Sequence, residues 1–506
     1  MPLRNEVQLI TYADRLAGDL AGLVRLVRSD DLAGAFGGVH VLPFFTPYDG
    51  ADAGFDPIDH TAVDPRLGSW DDIRELGRTH DVVVDLIVNH VSAGSAAFRD
   101  VVERGEASGS YPMFLTLSSV FPDGATEEDL TRIYRPRPGL PFTPIRLGGR
   151  LRYVWTTFTP AQIDIDVRSA AGKAYLASIL DAVAAADVRL VRLDAVGYAV
   201  KTPGTTSFMT PETFAFIEDF TAQARSRGVE VLVEVHSYYK MQVEIGRSVD
   251  LVYDFALPPL VLHALFTADG TALAGWLRER PRNAVTVLDT HDGIGVMDVA
   301  PDPTVEPGEP ERPGLLTPEQ VDELVEGIHE RTGGTSRRAT GAAASNLDLY
   351  QVNSTFYAAL GEDDGRHLAA RAIQLFTPGI PQVYYVGALA GSNDMDLLDR
   401  TGVGRDINRH HYAPDELAAA LERPVVRALL GLCRFRNAFP AFDGDVDVTL
   451  DGPVLTMVRR GVDVPDAVAV LAVDLATGAS SVRWSGGPSG SGRTDDLLAA
   501  PPALGG

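Results

Sequence analysis

Three carboxylates, Asp194, Glu234 and Asp292, each stand at or just past the C-terminal end of a short apolar run: Leu190 to Leu193, Glu230 to Val235 and Val285 to Leu288. Retaining glycosyl transfer needs one carboxylate to attack the anomeric carbon and one acid to protonate the leaving oxygen. Asp194 is positioned for attack, forming a covalent glycosyl ester. Arg192, two residues earlier on the same strand face, is expected to keep that carboxylate ionised and oriented. Glu234 sits on a strand end that is otherwise apolar (Val231, Leu232, Val233, Val235). Its pKa is therefore expected to rise, making it a general acid and then a base. Asp292 is left to face the oxocarbenium charge and the sugar hydroxyls.

A strand-end acid taken singly is more often a helix cap or a surface charge, and Asp292-Gly293 also reads as a turn. The company these acids keep favours chemistry. His90 follows Asp85 to Asn89, and His291 precedes Asp292, so two imidazoles flank the same mouth as hydroxyl donors.

Acids so far apart in sequence converge only if a scaffold brings strand ends together. Eight short runs rich in Val, Ile, Leu or Tyr alternate with helical patterns. They are Val7 to Tyr12, Gly38 to Leu42, Val82 to Asn89, Leu190 to Leu193, Glu230 to Val235, Leu251 to Phe255, Val285 to Leu288 and Gln382 to Tyr385. That alternation predicts a (β/α)8 TIM barrel, whose strand C-termini all open on one mouth. Two connections are far longer than ordinary barrel loops and must fold over the mouth. The expected division is a barrel of residues 1–87, 169–293 and 362–441, an inserted domain B over 88–168, an inserted domain B' over 294–361, and a small C-terminal all-β domain over 442–506. The Gly-, Ser- and Pro-rich tail from Gly486 reads as loosely ordered.

The net charge of −25 makes nucleic acid and anionic membranes poor partners. Arginine supplies nearly all the positive charge; lysine occurs only at Lys173, Lys201 and Lys240. No apolar stretch is long enough for a membrane span, and Met1 to Arg15 lacks the order of a signal peptide, so a cytoplasmic enzyme is expected. The lone Cys433 lies in an apolar helical stretch and reads as core.

Asp85 to His90, the Arg192/Asp194 pair, Glu234 and His291-Asp292 resemble, in order, the four signature regions of the α-amylase family (glycoside hydrolase family 13). Pro378 to Tyr385 resembles that family's eighth strand. More narrowly, Val7 to Arg15, Pro43 to Asp59, Tyr134 to Phe142, Arg192 to Lys201, Glu234 to Lys240, Thr286 to Val296, Ala342 to Thr355 and Gly404 to His410 are similar to the sucrose phosphorylases of the bifidobacterial type. The similarity fades over Val299 to Arg337 and in the C-terminal domain.

The resemblance implies reversible phosphorolysis of sucrose to α-glucose 1-phosphate and fructose through a covalent glucosyl-enzyme, with transglucosylation of other acceptors, in a homodimer. It implies a glucose pocket of Asp52, Phe55, His90, Phe158, Gln162, Arg192, Tyr198, His291 and Arg405. It further implies that Arg137, Tyr350 and His236 contact phosphate, and that Leu347, Asp348 and Gln351 shape the fructose site. No cofactor is expected. In α-amylases the counterpart of Asn89 holds calcium, but the narrower resemblance argues against a metal here. A phosphate dianion must overcome three acids and a negative protein, and Arg135 and Arg137, stiffened by prolines, are candidates to supply local positive charge. The loop from Gly341 to Gln351 is expected to change shape between half-reactions. Competing readings are a phosphorylase of sucrose 6'-phosphate or glucosylglycerol, an α-glucoside hydrolase, and a non-catalytic barrel.

Overall fold

The computed structural model describes residues 3–50, 52–135, 139–302, 305, 310–343, 351–487 and 490–504. Eight parallel strands close into a barrel. They are β1 (Gln8–Thr11), β2 (Gly38–Val41), β3 (Asp81–Ile87), β4 (Leu190–Asp194), β5 (Glu230–Val233), β6 (Leu251–Asp254), β7 (Ala284–Thr286) and β8 (Ile380–Tyr384). Each coincides with one of the apolar runs, in the same order, with ends differing by at most two residues. Both faces of these strands are almost wholly buried, the outward one apolar and the inward one carrying polar groups as well.

Register decides which side chains share a level. Arg192 on β4 stands opposite Asp85 on β3 and Leu232 on β5. Because successive strand residues face opposite ways, Arg192 and Asp194 point into the barrel while Val191 and Leu193 pack outward. The interior beneath the mouth is a polar layer. His40 Nε2 lies 3.1 Å from Asp85, the Tyr253 hydroxyl donates to Gln382 at 2.8 Å, and the Gln382 amide donates to Gln8 at 2.8 Å.

The helices that wrap the barrel start where the sequence supplies caps. The helix Pro211–Arg225 after β4, for example, has Thr210 accepting from the Thr213 amide and Pro at its first turn. In the long β3–β4 connection, Gln162–Asp164 pairs antiparallel with His90–Ser92, and Phe142–Leu147 forms a hairpin with Arg150–Trp155. In the β7–β8 connection, helices Pro318–Arg331 and Thr335–Ala343 precede Gln351–Val352, which pairs with Ile294–Gly295.

Strands β9 (Val446–Asp451), β10 (Val454–Arg460), β11 (Val468–Asp474), β12 (Ser480–Ser485) and β13 (Gly492–Thr494) form a sequential antiparallel sheet. The last strand corrects the expectation of a loose tail. Gly492 has no Cβ, and one placed there would lie 2.2 Å from the Trp484 ring, so glycine lets the indole lie against the backbone and seat the strand. Leu497 beyond it is buried. Cys433 is a free, fully buried thiol that burial pushes up to about 12, as a core residue should be.

Candidate active site

A pocket of about 780 Å³, counting the open solvent at its mouth, lies at the C-terminal ends of the barrel strands. All three strand-end acids line it, with Asp52, Phe55, His90, Phe158, Gln162, Tyr198, His236, His291, Gln351 and Arg405 around them.

Arg192 underlies the pocket and binds three carboxylates at once: Asp85 at 2.5 Å, Asp194 at 3.0 Å and Glu234 at 3.3 Å. Burial would push Asp85 up, but Arg192 and then His40 outweigh it and hold the carboxyl at about 2. Asp194 behaves oppositely. Burial raises it well above the ordinary carboxylate range, Glu234, Asp85 and Asp292 add to the rise, and Arg192 only partly opposes it. Arg192 orients Asp194 as expected, but its one guanidinium is divided among three acids, so it offsets only part of the upward push on that carboxyl. Glu234 also accepts a hydrogen bond from the Ala195 amide at 3.1 Å.

Asp292 has its own cations. Arg405 lies 2.8 Å away and Arg409 3.8 Å away, and against the push of burial these arginines, Arg405 first, hold this carboxyl far below the usual range. The 404–408 turn that carries Arg405 is pinned from below: the Asn408 amide donates to the carbonyls of Thr290 and Asp292, and Arg409 Nε donates to that of His291. His291, pushed down to about 3 mainly by burial, is a neutral imidazole lying parallel to the Phe55 ring at 4.6 Å between centroids. His90 is likewise pushed down by burial; its Nε2 lies 2.9 Å from the Phe55 carbonyl and 3.1 Å from the Gln162 amide. Phe158 stands edge-on to both His90 and Tyr198. The resulting cup has an aromatic wall for a sugar face and charged or neutral polar groups spaced for hydroxyls.

No profile of a described protein family matches the chain. Individual relatives do. The sucrose phosphorylase of Bifidobacterium adolescentis is 55% identical over 509 residues, covering 99% of this chain and 100% of the relative. The sucrose phosphorylase of Agrobacterium vitis is 59% identical over 450 residues, covering 89% and 91%. The chain belongs to the sucrose phosphorylase family. Among solved structures, the sucrose 6F-phosphate phosphorylase of Thermoanaerobacter thermosaccharolyticum superposes with a TM-score of 0.87 at 36% identity, covering 98% of each chain.

In this sucrose phosphorylase fold, the oxygen cluster around Asn89 is filled by an ammonium. Lys201 Nζ lies 2.7 Å from Asn89 Oδ1 and 2.7 Å from Asp164 Oδ2, and donates to the Tyr198 carbonyl. Glu234, His236 and Asp292 also bring three ligand-type atoms within 4.8 Å of one another. Arg405 already answers Asp292 and Asp298 answers His236, so protein groups match the charges of this cluster.

Four residues named from the sequence, Arg137, Leu347, Asp348 and Tyr350, lie outside the described residues. Arg135 donates to the carbonyls of Gly139, Leu140 and Phe158, so it braces its own loop and the Phe158 wall. Phe208, which lines the pocket from the loop after β4, was not anticipated, and nothing in its sequence neighbourhood marks it. Arg409 and Asp298 were also missed. Each reads in sequence as an ordinary loop charge. Lys201 had one signal, its rarity in an arginine-rich chain.

Proposed function

We propose that this enzyme transfers the glucosyl group of sucrose to inorganic phosphate, giving α-glucose 1-phosphate and fructose with retention. The observation that carries the reading is the single pocket in which Arg192 joins Asp194 to Glu234 while Arg405 clamps Asp292, in a chain 55% identical to a sucrose phosphorylase along its full length.

In this reading Asp194 attacks the anomeric carbon, and the C–O bond to fructose breaks as Glu234 protonates the departing oxygen. Phosphate then attacks the glucosyl ester, with Glu234 accepting its proton. Attack requires an ionised Asp194 and departure requires a protonated Glu234. Asp292, kept ionised by its arginines, faces the positive charge that develops at the ring. Asp52, His90, Gln162, His291 and Arg405 hold the glucosyl hydroxyls; Phe55, Phe158 and Tyr198 wall the ring. Arg137, Tyr350 and His236 receive phosphate, and Leu347, Asp348 and Gln351 receive fructose. The family resemblance further supports a cytoplasmic homodimer working without a cofactor, and light scattering on a sizing column tests the dimer.

The functional test is product analysis with sucrose in the presence and absence of phosphate, following glucose 1-phosphate and free glucose separately. Phosphate-dependent glucose 1-phosphate supports the reading. Free glucose regardless of phosphate identifies a hydrolase, and inert sucrose directs attention to phosphorylated or glycerol-linked glucosides.

A further inference from the structure

Asp298 stands just beyond Ile294–Gly295 and is completely buried. Its carboxylate accepts from His236 Nδ1 at 2.8 Å, from the Gln242 amide at 2.9 Å and from the Ser237 backbone at 3.2 Å. Among the described residues, the ion pair it makes is with His236. A buried carboxylate with that environment fixes the ring: Nδ1 must carry a proton, and Nε2 is turned into the pocket. There Nε2 lies 3.9 Å from Glu234 and 3.5 Å from the Gln351 amide. The ring is held flat on Phe255, 3.9 Å between centroids.

The backbone is shaped around this pair. A Cβ at Gly295 would come 2.6 Å from Asp298 Oδ2 and 3.1 Å from His236 Nδ1, so only glycine lets carboxylate and imidazole meet there.

Among the described residues, the charged groups facing His236 include Asp298 from the β7–β8 connection, Glu234 from the end of β5, and Asp292 from the loop after β7, which Arg405 partly neutralises. Against the downward push of burial, Asp298 first and then Glu234 and Asp292 raise the imidazole, favouring its cation. A phosphate dianion entering among three acids needs such a cation, and an imidazolium offers it a charge-assisted hydrogen bond that a neutral ring offers more weakly.

We propose that Asp298 is a positioning residue that makes His236 the cationic seat of the incoming phosphate, and so sets how well phosphate outcompetes water for the glucosyl-enzyme. The inference rests on phosphate being the acceptor and adds the residue on which that preference depends.

The test uses Asp298→Asn and, independently, Gly295→Ala in the full-length enzyme. Release of fructose, glucose 1-phosphate and glucose is followed against phosphate concentration between about pH 5.5 and 8.5, the span in which an imidazole titrates. Both variants should raise the KM for phosphate about tenfold or more, as loss of a charge-assisted contact implies, and raise the ratio of glucose to glucose 1-phosphate in proportion. Fructose release without phosphate should stay within about threefold, because glucosylation does not use the contact. In the wild type, kcat/KM for phosphate should fall on an alkaline limb absent from hydrolysis, and Asp298→Asn should move that limb to lower pH. A folded variant with unchanged phosphate KM and partition overturns the proposal, as does an equal loss of hydrolysis and phosphorolysis. If neither variant folds, a wild-type profile without the phosphate-specific limb overturns it instead. Wild-type enzyme that makes no glucose 1-phosphate would refute the phosphorylase reading itself before any variant is made.

Discussion

The guanidinium of Arg192 lies 2.5 Å from the carboxylate of Asp85, its register partner on the neighbouring strand, one level below the pocket floor. Asp85 is fully buried and supported on its other side by His40. This pair roots the cation that faces Asp194 and Glu234, so the reactive acids share a counter-charge built into the barrel rather than one borrowed from a loop.

Arg192→Lys should cost activity about a hundredfold or more, because an ammonium cannot reach three carboxylates in the geometry of a planar fork. Arg192→Met strands buried acids and should destabilise the fold by about 3–5 kcal/mol. Steady-state rates and urea unfolding measure the two effects separately.

Asp85 is held at about 2 when folded, below its ordinary value of 3.8. A depressed folded pKa gives stability that is present above the ordinary value and is lost as pH falls toward the folded one. Acid unfolding of the wild type should therefore steepen between those two values. Asp85→Asn, already lacking the charge, should lose this part of the pH dependence while being less stable at neutral pH.

Asp194 carries the opposite sign. Its folded pKa is raised, mainly by burial, so ionising it costs stability as pH rises from the ordinary carboxylate value. Asp194→Asn should raise the thermal midpoint at neutral pH by roughly 2–4 °C, a gain that shrinks toward acid pH. The same variant should lose about 10⁴-fold or more in sucrose turnover as the nucleophile disappears. Calorimetry at several pH values, run beside the assay, tests both.

Lys201→Ala should destabilise the enzyme by about 3–5 kcal/mol, since it leaves Asp164 buried without its ammonium. Chelation with EDTA should leave wild-type turnover and unfolding unchanged. A drop in either on chelation would mean that a metal contributes where the lysine sits.

Gly492→Val should clash with Trp484 and loosen the C-terminal sheet, costing about 1–3 kcal/mol. Because none of the described residues lining the pocket comes from β13, kcat at 25 °C should be retained while heat inactivation quickens. A matched loss of kcat would tie that sheet to the pocket.

The barrel and its three acids were legible because strand periodicity and strand-end position survive in one dimension. Residues 190 to 194 announce both a buried strand and the acid at its end. What escaped depends on residues distant in sequence. Asp298 means nothing until β5 brings His236 to it, and Arg409 means nothing until the 404–408 turn folds under Asp292. The upward push on the Asp194 carboxyl escaped for the same reason. Its nearest cation is visible two residues away, but the rival carboxylates on β3 and β5 that share that cation are not. The glycine-rich tail misled because composition records the absence of a side chain and not the indole that takes its place.

Lys201 is sealed in the interior, and Lys173 and Lys240 are the lysines left exposed among the described residues. Amine-reactive coupling of this 506-residue protein to a support therefore meets two side chains besides the chain's own amino terminus. One lies on the outer helix Ala170–Ala185 and the other on the helix after β5. Attachment would be confined to these few points, and a tether placed by arginine-to-lysine exchange elsewhere on the surface would meet little competition.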